Sequence, residues 1–220
     1  QAERAGVHHL VHAWPAQGHP YGPLFVSHDA LRGATAHQAV SRWFRSTNPF
    51  AVFLAELFKV AFPDYYIRFQ HAFDAGVWFE GDPGPWLGRA IVWKLDVGIH
   101  YDMNDGGPAA CIPMGSFVGG EMAIPRLHAR FRYVAGDVII GFFGALAHLL
   151  YPSSAPPGKS QLNYGLTPGR ISSVFFFPAR SLLRLKDQPP LAFSKGLVGK
   201  KPLTPEERAA LAAYQADDVD

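Results

Sequence analysis

Two kinds of hydrophobic patterning divide the chain. "TAHQAVSRWFRS" (35–46) and "NPFAVFLAELFKVAF" (48–62) read as two helices. Asn48 suits the N-cap of the second, with Pro49 at its first helical position, where a missing N–H costs nothing. From about residue 65 the pattern changes to short β-branched and aromatic runs between Gly and Pro breaks. These runs are "GVWFEG", "RAIVWKLDVGIHYD", "AACIPMG", "MAIPRL", "ARFRYV", "DVIIGFF", "ALAHLLY", "RISSVFFFPA" and "SLLRLK". Many short strands at near-regular spacing predict a β-sandwich or barrel. Residues 1–33 are rich in His, Pro and Gly and read as loop, with one short strand near 24–27. "SSAPPGKSQLNYGLTPG" (153–169) reads as a long loop. "LTPEERAALAAYQ" closes the chain as a helix, with Thr204 and Glu207 forming a capping box. The expected organisation is an N-terminal loop and helical support over 1–65, a β core over 66–190, and a basic loop with a short helix over 191–220.

"GIHYDMNDGG" (98–107) carries the first candidate chemistry. Side chains alternate along a strand, so His100 and Asp102 share a face, and Asn104 to Gly107 then form a turn. With ten His in the chain, about half of one His-x-Asp triplet is expected by chance, so the triplet alone carries little. His148 adds to it, because it sits inside the apolar run "GDVIIGFFGALAHLLYP". A histidine in such a run needs a partner for its ring nitrogens or a metal to ligate. Two His and one carboxylate form the facial triad of non-haem Fe(II) oxygenases. An iron site using 2-oxoglutarate also needs a cation on a later strand. Arg170 and Ser172, two residues apart on one strand face, meet that need.

Composition narrows the partners. The chain has 220 residues, a hydrophobic content of 48%, a charged content of 17% and a net charge of +2, which fits a folded domain with no strong general attraction to polyanions. Charge is nevertheless uneven: from Lys159 to Lys201 eight basic residues meet one acid, Asp187, a balance that suits either a phosphate backbone or a solvated face. The single cysteine, Cys111, excludes an internal disulfide and fits a reducing compartment. The most apolar stretch, 138–150, is too short to span a membrane, and no signal peptide is visible. The start at Gln1 is that expected of a processed protein or a fragment. Trp78, Phe79, Trp86 and Trp93 are candidates for base stacking, though most are expected in the core. His8, His9 and His12 are expected in a mobile, solvated terminus.

The ordered set of motifs resembles the TET/JBP-like 2-oxoglutarate and Fe(II)-dependent dioxygenases, particularly fungal and algal members. "GIHYD" is similar to the family's His-x-Asp strand, and "GSFVGGEMAIPRL" (115–127) to its Gly-Gly hairpin. "YVAGDVIIGFFGALAHLLYP" resembles its Gly-Asp strand with the distal His, and "GRISSVFFFPARSLLRLKD" its closing segment. The resemblance implies a double-stranded β-helix, or jelly roll, with flanking helices. By position it implies Fe(II) on His100, Asp102 and His148, and 2-oxoglutarate on Arg170 with Ser172. It further implies oxidation of a methylated base in DNA, first 5-methylcytosine to 5-hydroxymethylcytosine and beyond. N6-methyladenine demethylation and a protein (prolyl-type) hydroxylation are the alternatives, and RNA stays open as a substrate. Asn104 and Asp105, just after the iron pair, are the candidate base contacts. A monomer acting in the nucleus, with no membrane association, completes the expectation.

Overall fold

The computed structural model describes residues 5–16, 18–157 and 168–217. The chain opens with β1 (Gly6–Val11), β2 (Trp14–Pro15) and β3 (Leu24–Phe25), then α1 (His28–Leu31), α2 (Ala34–Ala61) and α3 (Pro63–Gly76). Ten strands follow: β4 (Gly88–Trp93), β5 (Val97–His100), β6 (Ala109–Gly115), β7 (Val118–Gly119), β8 (Met122–Ile124), β9 (Ala129–Phe131), β10 (Ile139–Gly141), β11 (His148–Leu150), β12 (Ser153–Ser154) and β13 (Arg170–Phe176). Two helices close the chain, α4 (Ala179–Leu185) and α5 (Pro205–Asp217). One sheet has the order β1-β4-β13-β6-β10 and a second the order β5-β11-β8-β9, with antiparallel pairing throughout. The protein is therefore mainly antiparallel β with flanking helices. In chain order β4, β6, β10 and β13 fall in the first sheet, and β5, β8, β9 and β11 in the second.

Strand alternation explains how one sheet serves two layers. On β13, Phe175 joins the main core with Leu54, Phe58, Phe69 and Phe73 of α2 and α3. Its neighbours Val174 and Phe176 turn the other way, into a second cluster with Cys111, Met122, Tyr133 and Phe143. The period of two thus sends odd positions to the helices and even positions towards the second sheet. Between the sheets lies a cavity of about 720 Å³, walled by Ala90, Val92, Ser172 and Val174 on one side and Val97, His100, Met122 and Leu150 on the other.

The expected break before Pro49 does not exist; α2 runs through it. Val40, Phe44, Ala51, Leu54, Ala55 and Phe58 form one continuous buried face. Asn48 does not cap a helix but donates from Nδ2 to the Gly81 carbonyl at 2.9 Å. Burial of that long face outweighs the roughly 3 kcal/mol that an internal proline costs. Three further readings are corrected. "GVWFEG" is the end of α3 and the loop after it, and α3 itself replaces the start of the β region. "SLLRLK" is α4, which buries Ser181, Leu182 and Leu185 on one helical face. In the first 33 residues the short strand expected near 24–27 is present as β3, but the rest is not all loop, since β1 pairs with β4 along its whole length. The capping box is present: the Glu207 N–H donates to Thr204 Oγ1 at 3.2 Å and the Thr204 N–H to Glu207 Oε2 at 2.7 Å. Part of the 153–169 loop lies outside the described residues.

A buried ionic cluster ties these layers together. Asp82 accepts from Arg89 Nη2 at 2.5 Å and faces His12 Nε2 at 3.0 Å, with side-chain exposures of 3%, 1% and 0%. His12 Nδ1 accepts the backbone N–H groups of Trp78 and Phe79, so its proton sits on Nε2 and points at Asp82. Arg89 also donates to Thr47 Oγ1 and lies between the rings of Phe44 and Phe175, 4.7 Å from each centroid. His12 is thus a core residue, not part of a solvated terminus.

Burial alone would raise the Asp82 carboxyl, but the Arg89 charge and the His12 hydrogen bond outweigh it and hold the group below its ordinary value. Replacing Asp82 with Asn strands a buried guanidinium and is expected to cost about 3–5 kcal/mol at neutral pH, read from urea unfolding. A carboxyl depressed in the folded state contributes fully above its unfolded pKa and loses that contribution as pH falls through the folded value. The stability gap between wild type and Asp82→Asn should therefore narrow below about pH 4; a gap that widens on acidification would contradict the pairing.

Candidate metal centre

His100 ends β5 and His148 begins β11, and the two are direct partners in the antiparallel register. Their rings lie 4.1 Å apart between centroids. Asp102, one residue beyond Tyr101, is held by its backbone N–H on the Phe143 carbonyl at 2.9 Å. Its two carboxylate oxygens then face the two histidines: Oδ1 is 3.7 Å from His100 Nε2, and Oδ2 is 3.7 Å from His148 Nε2. One ligand atom from each of the three lies within 4.8 Å of the others. The far side of each ring is also fixed. His100 Nδ1 is 2.8 Å from the Gly98 carbonyl and His148 Nδ1 is 3.1 Å from the Leu146 carbonyl. Each carbonyl takes the Nδ1 proton, which leaves both Nε2 lone pairs free and aimed at one point. Burial is the main influence lowering the His148 pKa, with the nearby His100 adding to it and the Leu146 carbonyl and Asp102 opposing it. A lowered value keeps the ring neutral, the form that ligates a metal. This donor set fits Fe(II), with imidazoles and a carboxylate on one side and a cavity on the other.

The other expected residues divide. Ser172 lines the cavity, whereas Arg170 does not. Arg170 is 2% exposed, and its guanidinium donates to the Leu95 carbonyl at 2.9 Å and approaches the Gly120 carbonyl at 3.5 Å. Among the described residues no carboxylate lies within ion-pair distance of it; Tyr133 and Asp96 are the groups that act on its charge. Loss of solvent lowers its pKa, as expected of a buried cation that lacks a paired anion. Tyr133, on the adjoining cavity wall, was not singled out from the sequence, and no local motif marks it. Burial first, then Cys111, push its phenol above the ordinary range, so the hydroxyl keeps its proton.

Asn104 and Asp105 both reach the cavity mouth. Asn104 Oδ1 accepts from Arg180 Nη1 at 3.1 Å, and its carbonyl accepts the Ala179 N–H. Asp105 bridges to Pro178, and loss of solvent followed by the Asp102 charge pushes its carboxyl well above the ordinary value. The basic stretch is less open than its composition suggests. Arg170 is buried, Arg184 is occupied by the Gly22 and Lys201 carbonyls, Lys186 pairs with Asp187, and Lys159 lies outside the described residues. Arg180 is the member of the stretch on the cavity wall. Of the four aromatic candidates, Trp86 and Phe79 are core and Trp78 is exposed. Trp93 packs against His8.

No protein-family model matches this chain, and no curated protein does either. Solved structures do. The fold is shared with NgTET1. The structure of NgTET1 in complex with 5mC DNA superposes with a TM-score of 0.59 over 83% of this chain, at 13% sequence identity. The chain spans 63% of that NgTET1 chain. At such identity the likeness is one of fold, and the case for chemistry rests on the His-Asp-His cluster. No helix among the described residues is long and apolar enough to cross a membrane.

If the cluster is the metal centre, Asp102→Ala and His148→Ala should each weaken Mn(II) binding by more than the roughly 100-fold that loss of an outer-shell partner costs. Calorimetric titration at pH 7 measures this. Unchanged affinity in either variant would remove that residue from the ligand set.

Proposed function

We propose that the protein is an Fe(II)- and 2-oxoglutarate-dependent dioxygenase that oxidises the methyl group of a methylated base in DNA, with 5-methylcytosine converted to 5-hydroxymethylcytosine and further. The observation that carries the reading is the convergence of His100 Nε2, His148 Nε2 and the Asp102 carboxylate at the wall of the cavity. The alternation of strands between the two sheets is the path expected of a double-stranded β-helix, which supports the same reading.

On this reading His100, Asp102 and His148 would hold the iron at the cavity wall. With O2, iron and 2-oxoglutarate supply the oxidation: one oxygen atom enters the methyl C–H bond, and the other leaves in succinate as CO2 is released. The chain's own part is placement and exclusion. Arg170 stands outside the cavity wall, next to Tyr133 and with no carboxylate partner among the described residues; its guanidinium would have to turn past Tyr133 and Ser172 to take the far carboxylate of 2-oxoglutarate. Val92, Val97, Met122, Leu150 and Val174 keep water from the reacting carbon. Asp105, its carboxyl pushed up by burial, would face a base edge, and Asn104 would present its amide at the mouth. The DNA substrate rests on the sequence resemblance and on the fold shared with a protein solved in complex with 5mC DNA. A base reaches such a cavity only when flipped from the stack.

Incubation with Fe(II), 2-oxoglutarate and a panel of methylated oligonucleotides, read by mass spectrometry, should give hydroxymethylcytosine and a matching amount of succinate. Arg170→Lys keeps the charge and loses the planar fork, so it should raise the KM for 2-oxoglutarate at least about tenfold while leaving Mn(II) affinity unchanged. Succinate release stimulated by methylated adenine, RNA or a proline peptide, and not by 5-methylcytosine DNA, would overturn the substrate and leave the iron chemistry standing.

A further inference from the structure

The cavity wall includes residues that no metal or cosubstrate role uses. Val7, His9, Trp14 and Pro15 reach it from the N-terminal strands. His9 pairs with Ala90 in the β1/β4 register, and strand alternation puts Val7 and His9 on the cavity face while His8 turns to Trp93 on the other. The backbone there is fixed on both edges. On the side away from β4 the His9 N–H donates to Asp29 Oδ2 at 2.9 Å, and the Val11 N–H donates to Ser27 Oγ at 3.0 Å. The His9 ring lies 5.4 Å from Trp14 and meets Phe176 edge-on at 6.3 Å. Its nitrogens make no hydrogen bond with any described residue, although the ring is half-buried. A polar ring that is oriented, half-buried and not hydrogen-bonded to the protein keeps its nitrogens free to meet a ligand in the cavity.

We propose that His9 is a specificity-determining residue whose imidazole hydrogen-bonds the polar edge of a planar heteroaromatic ring in the cavity, beside Trp14 and Phe176. The inference rests on the reading of this cavity as the site of a methylated base, and it names a residue that reads that base. The rings of His9, Trp14 and Phe176 on one wall of the cavity give a flat group surfaces to lie against, and a volume of about 720 Å³ leaves room for it beside a small cosubstrate. A neutral imidazole offers one donor and one acceptor, enough to match one polar edge and mismatch another. The N-terminal segment therefore does more than cover the sheet; it supplies one wall of the substrate site.

The test is fluorescence anisotropy on the full chain loaded with Mn(II). It compares a labelled duplex carrying one 5-methylcytosine with the same duplex abasic at that position. Wild type should bind the methylated duplex about tenfold or more tightly than the abasic one. His9→Phe, which keeps an aromatic ring without its nitrogens, should lose most of that preference while Mn(II) affinity and Tm stay unchanged. His9→Gln, which keeps a hydrogen-bonding end, should recover part of it. Full preference in His9→Phe overturns the role of His9 and leaves the base reading intact. Equal loss in both variants assigns the effect to packing and overturns it as well. No preference in wild type overturns the base reading and the His9 role together.

Discussion

Asp82 accepts from Arg89 and faces the His12 Nε2–H with almost no solvent around any of the three. His12 follows β1, Arg89 lies on β4, and Thr47 of α2 is bound to the same guanidinium. Charges of this kind are tolerated in a core only when every partner is in place. The cluster therefore admits one arrangement of N-terminal strand, helix and sheet and excludes the near alternatives. Slipping β1 by one residue would point His12 away from Asp82 and turn His9 off the cavity wall. The N-terminal segment is held by this constraint, and the shape of the cavity depends on it.

The His-Asp-His cluster follows from a second geometric rule. Two strands in antiparallel register place His100 opposite His148, and a two-residue step from His100 brings Asp102 to the same side. The turn after Asp102 is locked to the junction between β13 and α4: the Gly106 N–H donates to the Phe177 carbonyl and the Ala179 N–H to the Asn104 carbonyl. Two of the three candidate ligands thus lie on paired strands and Asp102 is tied to Phe143 just beyond one of them, and each ring is oriented by a carbonyl two residues before it. Preorganisation of this kind lets a metal bind without first ordering the chain.

The parts of the site visible in the sequence are those whose geometry is local. His100 and Asp102 share a face because strand period is two, and His148 stands out as the polar residue in an apolar run. Arg170 and Ser172 follow from the same period, although only Ser172 reaches the cavity wall. Tyr133, His9 and Trp14 are not local in this sense. They reach the cavity through strand pairings and loops that no short window encodes, and His9 reads as terminal until β1 is seen paired with β4. The helices failed for a related reason. Pro49 signals a helix start by itself, but the buried face from Val40 to Phe58 overrides it. The aromatics of α3 carry strand propensity, yet Phe69 and Phe73 pack into the main core from a helix. Tertiary burial decided both cases.

A metal held by His100, Asp102 and His148 would face the cavity and accept a chelating 2-oxo acid there. Anaerobic visible absorption measures this directly, because Fe(II) chelated by a 2-oxo acid gains a metal-to-ligand charge-transfer band that neither component shows alone. The band should appear on adding 2-oxoglutarate to the Fe(II)-loaded protein, and should be absent with Zn(II) in place of iron or in Asp102→Ala. Stoichiometric Fe(II) binding with no band at saturating 2-oxoglutarate would contradict it.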